Sequence, residues 1–313
     1  MQRSGLKFAV IFDVHLSYQP ADQDCDPSKV RPPEERHDVF MTVAEQWGAE
    51  LVINLGDLHP KSLETGPGAQ VVQAWQAWPE QKIAVMGNHD DDYVDTADYL
   101  REMGMPSPFY SRVVNGWTFV VLYSGDPATP PGTPFDECDT DQNTEYLHES
   151  QLNWLEDKLI EAAGPCIVLV HNGVTSLEQL VPPPAFRSIL NDVNAQSPDP
   201  KVIACFWGHK HRTAITQEAG VQYIMVNSAN YRWDSDLGPL FYRDPPPFAL
   251  GYLTDDELQL WGTGYPDNWA GAECSAFDES DLPADSETYQ IGTEVGCPNG
   301  LAGADHLFHE EQH

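Results

Sequence analysis

Five short apolar runs in this sequence each end at a histidine, an aspartate or an asparagine, and this recurrence constrains the fold more than any other feature. The runs span residues 8–12, 51–55, 83–86, 167–170 and 202–207, and their length and β-branched content are typical of buried strands. The polar residues that follow them are Asp13, His15, Asp57, Asn88, His89, Asp90, His171, His209 and His211. Buried polar groups are costly unless they are paired or bind a metal. The five strand ends therefore predict one shared site, at the carboxyl ends of the strands.

The donor types in this set indicate metal binding. The set contains carboxylates, an amide and four or five imidazoles, but no thiolate, which is more than one ion needs. This mixture favours two divalent or transition cations such as Mn, Fe, Zn or Co. Within the sequence Gly-Asn-His-Asp, Asn88 offers a neutral oxygen ligand, His89 an acid or base, and Asp90 a carboxylate that orients the imidazole. A Gly-Asn pair is also common in simple turns, which is the alternative interpretation.

The chain alternates between strand-like and helix-like segments before it becomes rich in hairpins. Helical spacing appears over residues 34–47, 95–103 and 151–163, and Asn115-Gly116 predicts a hairpin. Further hairpins are predicted over residues 213–227 and 249–262. This order predicts an α/β fold with two sheets. We expect one domain over residues 1–264 and an acidic C-terminal extension, loosely packed or partly disordered, over residues 265–313. The long polar segment 124–150 is expected to be a lid or a disordered loop.

The chain is strongly acidic, with 49 Asp and Glu against 16 Lys and Arg among 313 residues, for a formal net charge of −33. Such a surface repels nucleic-acid backbones and anionic membranes, and it suits saline surroundings in which salt screens self-repulsion. No apolar stretch reaches transmembrane length, and the first strand begins too early for a signal peptide. The default expectation is a cytoplasmic protein, with a secreted or periplasmic location left open if the chain has been trimmed.

The six cysteines fall into two groups. Cys166 and Cys205 lie within apolar runs and are predicted to be buried free thiols. The other four, in acidic segments rich in Pro and Gly, could form two disulfides in a secreted protein, for which Cys25–Cys138 and Cys274–Cys297 are the suggested pairs. No C-x-x-C spacing is present, so a thiolate metal site is not expected.

The order of the motifs resembles the calcineurin-like metallophosphoesterase superfamily. Its members share Asp-x-His, Gly-Asp, Gly-Asn-His-Asp or Glu, a single His, and Gly-His-x-His, and the resemblance covers roughly residues 6–262. It implies a four-layer α/β/β/α sandwich with two mixed β-sheets. It also implies two metal ions bridged by Asp57. The first would be held by Asp13, His15, Asp57 and His211, and the second by Asp57, Asn88, His171 and His209.

The resemblance implies a hydrolase of phosphate esters in which a hydroxide activated by the two metals attacks phosphorus. His89 would protonate the leaving oxygen, Asp90 would fix the tautomer of His89, and Asn88 would also contact substrate. Counting both metals, Asp13, Asp57 and the hydroxide leaves a pocket of about +1 within an anionic body. The expected partner is a small phosphate ester, a phosphomonoester or a phosphodiester, with no membrane or nucleic acid.

The opening motif, the number of basic residues and the presence of His89 bear on which group of this family the chain resembles most. The Asp-x-His opening is similar to bacterial cyclic-nucleotide and glycerophosphodiester phosphodiesterases and to related, poorly characterised phosphatases. It is also similar to the SbcD-type nucleases, but few basic residues are present to bind a phosphate backbone. A third alternative is a non-catalytic scaffold with this fold, which the presence of His89 and of every ligand disfavours.

Several residues near the motifs have two possible roles. His59 either contacts substrate or is a loop histidine that hydrogen-bonds to the backbone. Lys210 and Arg212 either clamp phosphate or point to solvent, and strand alternation favours solvent. A third set of side chains either walls a leaving-group pocket or packs in the core, namely Tyr18, Tyr123, Tyr231 and Trp233.

Overall fold

The computed structural model describes residues 3–18, 31–124, 147, 149–172, 184–211, 214–234, 238–241, 247–255, 257–262 and 287–290. Within these residues the chain forms two six-stranded sheets and a two-stranded ribbon. Both large sheets are mixed, and helices pack beside them. The predicted α/β fold with two mixed sheets in a four-layer sandwich is therefore confirmed.

The first sheet has the strand order β14-β13-β12-β1-β2-β3. Its three parallel neighbours, β1, β2 and β3, place their carboxyl ends at one edge. Strands β12, β13 and β14 continue the sheet antiparallel to β1. The strand bounds are β1 Leu6–Ile11, β2 Leu51–Asn54, β3 Gln81–Ala84, β12 Ala249–Leu253, β13 Glu257–Gly262 and β14 Glu287–Gln290.

The second sheet has the order β4-β5-β6-β7-β9-β8, and its central strands β5, β6, β7 and β9 are parallel. Strands β4 and β5 form the hairpin predicted at Asn115-Gly116. The bounds are β4 Tyr110–Val114, β5 Trp117–Leu122, β6 Cys166–Val170, β7 Val202–Trp207, β8 Ala214–Glu218 and β9 Val221–Met225. The ribbon pairs β10 Tyr231–Asp234 with β11 Gly238–Phe241.

Five helices within the described residues pack with the sheets, namely α1 Pro33–Trp47, α2 Gly66–Ala77, α3 Thr96–Met103, α4 Glu149–Glu161 and α5 Pro184–Ala195. Helix α1 begins with Pro33, and the missing N–H of proline costs nothing there because the first turn of a helix has no acceptor for it. The helix ends at Gly48, which adopts the left-handed conformation. Helix α3 begins where the Asp95 carboxylate accepts a hydrogen bond from the Ala97 N–H. None of the described helices combines the length and apolar character needed to cross a membrane.

Alternation along the second sheet separates two apolar clusters. Phe119, Val121 and Leu169 face the larger cluster between the sheets, where the Phe206 ring meets Phe8 of β1 edge to face at 6.0 Å. The intervening residues, such as Val120 and Val168, face the smaller cluster under α4 and α5. Because successive strand residues point to opposite faces, a strand buried on both faces is apolar throughout. This burial holds the strand ends that carry the polar residues.

The cysteine predictions have separate outcomes. Cys166 and Cys205 are buried free thiols, as predicted. The suggested disulfides Cys25–Cys138 and Cys274–Cys297 lie outside the described residues, as does nearly all of segment 124–150. Within residues 265–313 the structure describes only β14, which pairs with β13 at the edge of the first sheet.

Candidate metal centre

Three short turns bring the predicted ligands together, and each turn carries a polar residue, one intervening residue and a histidine. In each turn both polar residues adopt positive φ angles, 45° and 46° for Asp13 and His15 and 53° and 51° for Asp57 and His59. His209 and His211 repeat the pattern after β7, with φ angles of 69° and 51°. Non-glycine residues rarely adopt this conformation, and such strain clusters at functional sites.

The first two turns continue the parallel pairing of β1 and β2 beyond the sheet. The Asp13 N–H donates to the Gly56 oxygen at 3.1 Å, and the His15 N–H donates to the Asp57 oxygen at 2.9 Å. The pairing extends to Ser17, whose N–H donates to the His59 oxygen at 3.1 Å. The Asp13 and Asp57 side chains are therefore presented by one continuous backbone ladder.

Two glycines permit this close approach. Gly56 has a φ of 96°, and a Cβ placed there would lie 2.7 Å from both the Gly87 nitrogen and His171 Nδ1. A Cβ on Gly87 would overlap the Asp57 carboxylate. The glycines of the Gly-Asp and Gly-Asn-His-Asp motifs thus let the ends of β2 and β3 meet around Asp57.

Asp13, His15 and His211 form the first cluster, and their donor atoms lie within 4.8 Å of one another. The Nε2 atoms of His15 and His211 are 3.1 Å apart, and His211 Nε2 is 3.8 Å from Asp13 Oδ1. All three side chains are buried.

Asp57, His171 and His209 form the second cluster, and their donor atoms also lie within 4.8 Å of one another. His171 Nε2 lies 3.2 Å from Asp57 Oδ2, while its Nδ1 lies 2.8 Å from the Leu55 oxygen. Because a carbonyl oxygen can only accept, Nδ1 carries the hydrogen and Nε2 is left as a ligand atom. Asp57 Oδ2 is also 3.5 Å from His15 Nε2, so this carboxylate reaches both clusters.

Several donor atoms in these clusters are buried without a hydrogen-bond partner among the described residues. They include Asp13 Oδ1 and His171 Nε2, and Asn88 Oδ1, in the turn after β3, is likewise buried without such a partner. Buried polar atoms are nearly always satisfied, so atoms that converge without satisfying one another fit a site for cations. Oxygen and imidazole donors without thiolate are the donor set that divalent transition metals accept.

In the metal-free site, burial and neighbouring charges shift the pKa values of the buried acids and histidines. Burial alone raises the pKa of Asp57, but His171 and His15 outweigh it and hold that pKa well below its ordinary range. Burial opposes a charge on His171, yet Asp57 and Asp13 raise its pKa to about 10. Burial also raises the pKa of Asp13 to about 7. The metal-free site therefore holds protons that cations must displace.

His89 follows β3 at the rim of the site, with its side chain 37% exposed. Its backbone N–H donates to Asp57 Oδ1 at 3.0 Å, which fixes the start of the turn. Its Nδ1 lies 2.8 Å from Asp92 Oδ2, three residues ahead. Asp92 was not among the predicted site residues. The only sequence signal for it is a run of three aspartates, Asp90, Asp91 and Asp92.

The expectation that Asp90 orients His89 needs correction. Asp90 is fully buried and accepts backbone hydrogen bonds from Asp57, His59 and Gly87 at 2.8–3.0 Å. It therefore ties the turns after β2 and β3 together, and the carboxylate beside the His89 ring belongs to Asp92. The chain turns back on itself after Asn88, and this turn places Asp92 against the ring of His89.

His59 is buried beside the first cluster. Its Nδ1 is 2.5 Å from Ser17 Oγ and 3.4 Å from His15 Nδ1, and its Nε2 is 3.0 Å from Asp92 Oδ2. The Tyr93 ring stacks on it at 5.3 Å and is itself 58% exposed. The side chain of His59 thus joins the site, and its backbone N–H bonds Asp90.

Two of the predicted tyrosines line the first cluster. The Tyr231 ring lies 4.6 Å from the ring of His211 and 5.1 Å from that of His15, and Tyr18 lies 5.7 Å from His15. Tyr123 is buried at the end of β5, where its backbone bonds Gln151. Lys210 is half-buried, and Arg212 and the Trp233 side chain lie outside the described residues.

The segment before β10 supports the first turn from behind. Ser228 Oγ donates to the Asp13 oxygen at 2.8 Å, and the Ala229 N–H donates to the Phe12 oxygen at 2.9 Å. Asn230 Nδ2 donates to the oxygens of His15 and Tyr18. All of these hydrogen bonds are accepted by backbone carbonyl oxygens. They therefore cannot be predicted from the types of side chain that mark the metal site in the sequence.

Comparison with known sequences identifies the family. The model of the calcineurin-like phosphoesterase family matches residues 6–213, which is more than half of the chain. A probable cyclic nucleotide phosphodiesterase of Synechococcus sp. is 28% identical over 186 residues. That match covers 56% of this chain and 63% of the relative, so it spans less than two thirds of the relative's length.

Solved structures share the fold at low sequence identity. A dimetal phosphatase from Danio rerio superposes with a TM-score of 0.59 at 14% identity, covering 92% of this chain and 99% of that one. The inner membrane complex anchor GAP50 of Plasmodium gives 0.57 at 12% identity, with 97% and 95% covered. These two likenesses concern the fold alone. The family match over residues 6–213 shows that the chain belongs to the calcineurin-like phosphoesterase family.

Proposed function

We propose that this chain hydrolyses small phosphate esters with two divalent transition cations held by the two clusters. The position of Asp57 carries this proposal, because its Oδ2 lies 3.2 Å from His171 Nε2 and 3.5 Å from His15 Nε2. A single carboxylate between two sets of imidazoles suits a bridging ligand. Asp13, His15, Asp57 and His211 would hold one cation, and Asp57, Asn88, His171 and His209 the other.

When bound, such cations act as Lewis acids toward water and toward the phosphoryl oxygens. The chain itself supplies rigid positioning. The paired turns after β1 and β2 fix Asp13 and Asp57, and Asp90 anchors the backbone of the second turn. Because little rearrangement is then needed when an ester binds, the site is preorganised for in-line displacement at phosphorus.

His89 is the proposed general acid. Burial opposes its charge, but Asp57 and Asp92 more than offset this and raise its pKa above the ordinary value. With Nδ1 directed at Asp92, Nε2 remains to donate a proton to the leaving oxygen as the phosphorus–oxygen bond breaks. Its side chain is 37% exposed, which leaves access for an ester.

The substrate is proposed to be small. The body carries −33 charges and only 16 basic residues, so a long nucleic-acid backbone would be repelled over its length. The similar Synechococcus protein is named a probable cyclic nucleotide phosphodiesterase, which makes cyclic nucleotides a sensible first class of substrate to test. The leaving group, the choice between monoester and diester, and the metal identity are left to that test.

The first experiment combines elemental analysis with a substrate panel. Protein purified without chelator should hold about two equivalents of transition metal and should hydrolyse one or more of p-nitrophenyl phosphate, bis-p-nitrophenyl phosphate and cyclic nucleotides. At most one equivalent, with no activity after adding Mn, Co or Zn, would contradict the proposal. Efficient degradation of duplex DNA from its ends at physiological salt would instead favour the alternative of an SbcD-type nuclease.

A second experiment tests the acid. His89→Ala should keep both metals and lower kcat by about 10²–10⁴-fold for an alkyl ester. The loss should shrink for a p-nitrophenyl ester, whose leaving group needs little protonation, so the two esters act as matched controls. An equal loss for both would assign His89 to substrate binding instead.

A further inference from the structure

A third group of potential ligands lies beside the two clusters and shares no residue with them. His59, His89 and Asp92 offer two imidazole nitrogens and a carboxylate oxygen within 4.8 Å of one another. The donor atoms of each of the first two clusters lie within the same distance of one another.

The strongest indication comes from His59 Nε2. The residue is 97% buried, yet this nitrogen has no hydrogen-bond partner among the described residues. It lies 3.0 Å from Asp92 Oδ2 without making a hydrogen bond to it. A buried nitrogen this close to a carboxylate but not directed at it leaves room for a shared third atom.

His171 in the second cluster shows the same arrangement. Its Nε2 lies 3.2 Å from Asp57 Oδ2 and likewise makes no hydrogen bond. In a coordination sphere each donor points at the cation, and donors about 2.0–2.2 Å from a zinc ion lie about 3.3 Å from each other. The geometry of His59 and Asp92 therefore matches that of a ligand pair in the site already described.

Ser17 orients the His59 ring for such a role. Ser17 is buried, and its Oγ lies 2.5 Å from His59 Nδ1. The Ser17 hydroxyl can accept a hydrogen from Nδ1, and in that tautomer Nε2 has a lone pair, as it does in His171, whose Nδ1 donates to the Leu55 oxygen. In that tautomer His59, like His171, can bind a metal through Nε2.

The remaining two ligands open this group to solvent. Asp92 Oδ2 is 2.8 Å from His89 Nδ1, and these side chains are 27% and 37% exposed. A cation could therefore enter from outside and keep water in its open positions. Two imidazoles and one carboxylate favour zinc and its neighbours in the transition series over magnesium or calcium.

We propose that His59, His89 and Asp92 form a third binding site for a divalent transition cation, represented by zinc, which binds more weakly than at the two clusters. A cation at this site would bind His89 through Nδ1 and replace the contact with Asp92, so His89 could no longer serve as a protonated acid that donates from Nε2. Excess zinc therefore inhibits the enzyme, and this inhibitory part rests on the proposed function.

The binding test counts zinc per chain. The full-length protein is dialysed to equilibrium against zinc buffers of increasing free concentration, followed by elemental analysis. We expect wild type to take up two equivalents tightly and a third at higher zinc. Asp92→Asn and His59→Phe, which keeps the ring stacked on Tyr93, should keep the first two and weaken the third about 10–100-fold.

Asp98→Asn is the matched control, because it removes one carboxylate from an exposed position on α3 that pairs with Arg101. It should bind zinc as wild type does. Saturation of wild type at two equivalents, or a third equivalent that both Asp92→Asn and His59→Phe keep unweakened, would overturn the third site.

The rate of alkyl ester hydrolysis provides a separate readout. For wild type and Asp98→Asn, the rate should fall over the zinc range in which the third equivalent binds. A third equivalent that leaves the rate unchanged would overturn the inhibitory role. If no ester is hydrolysed at any zinc concentration, the proposed function fails, whereas the third equivalent would still support the binding site.

Discussion

Metal uptake should release protons, and the number can be worked out from the buried groups of the metal-free site. Asp57 and Asp13 raise the pKa of His171 to about 10, so at pH 7 this imidazole is almost fully protonated. Burial raises the pKa of Asp13 to about 7, so at that pH about half of the molecules carry a proton there. Both groups must lose these protons to bind a cation.

From these two groups the expected release is about one and a half protons at pH 7 and about one at pH 9, where Asp13 is already ionised, and ionisation of a metal-bound water would add to it. The sign follows from competition, since a group with a raised pKa favours the proton over the metal until the pH exceeds that pKa. Metal affinity should therefore increase with pH from 6 to 10, and more steeply below pH 7.

Isothermal titration calorimetry measures this release directly. Manganese or zinc is titrated into metal-free protein in buffers of different ionisation enthalpy, and the slope of observed heat against that enthalpy gives the protons released. His37→Leu, which removes a buried histidine of helix α1, is the control and should leave the slope unchanged. A slope near zero at pH 7 would refute the reasoning, because His171 and Asp57 would then not form an ion pair.

Three further predictions concern other parts of the molecule. Asp57→Asn should abolish metal binding and activity together, as measured by elemental analysis and ester hydrolysis; retention of two equivalents of metal would contradict a bridging role. His37→Leu should resist acid better than wild type, because burial lowers the pKa of His37 to about 4 and neither ring nitrogen has a hydrogen-bond partner among the described residues. The unfolded chain binds this proton below about pH 6.5, so wild type loses about 2 kcal/mol between pH 7 and pH 5 that the variant keeps in urea unfolding; equal losses would disprove this. Raising NaCl from 10 mM to about 0.5 M should increase kcat/KM for a dianionic monoester more than for a monoanionic diester, because salt screens the −33 body from the substrate; a fall for both would show that local cations dominate.

The strand ends of this site are predictable from sequence because the burial of each strand is visible in its own residues. A strand buried on both faces must be apolar, so the first polar residues after it mark its exit from the core. Asp13, Asp57 and His171 follow such runs and meet in space as expected. β3 ends at Ala84, before the end of its apolar run, and His89 still reaches the site, where its N–H donates to Asp57.

The partner of His89 is not predictable in the same way. The three consecutive aspartates after it have the same chemistry, and only the closure of the turn decides which of them faces the ring. The nearest, Asp90, is turned inward to three backbone N–H groups, and Asp92 returns to the imidazole. Local composition cannot distinguish these roles, because they depend on how two neighbouring turns share one carboxylate.

The role of His59 was left open for a related reason. Its ring lies among groups from two other segments, His15 and Ser17 after β1 and Asp92 after β3, which only the folded sheet edge brings together. The positive φ angles shared by the three turns are similarly invisible in sequence, since Asp and His tolerate this conformation but do not require it.

The turn after β7 places one histidine in each cluster, His211 in the first and His209 in the second. Two ions, each bound in its own cluster, would then share ligands from a single short turn. An ion bound at either histidine would further stabilise the positive-φ conformation that the whole turn adopts, so the second ion would find its own imidazole more firmly held. The conformational cost is met once rather than twice, so filling of the centre should be positively cooperative, with half-loaded molecules scarce at every metal concentration.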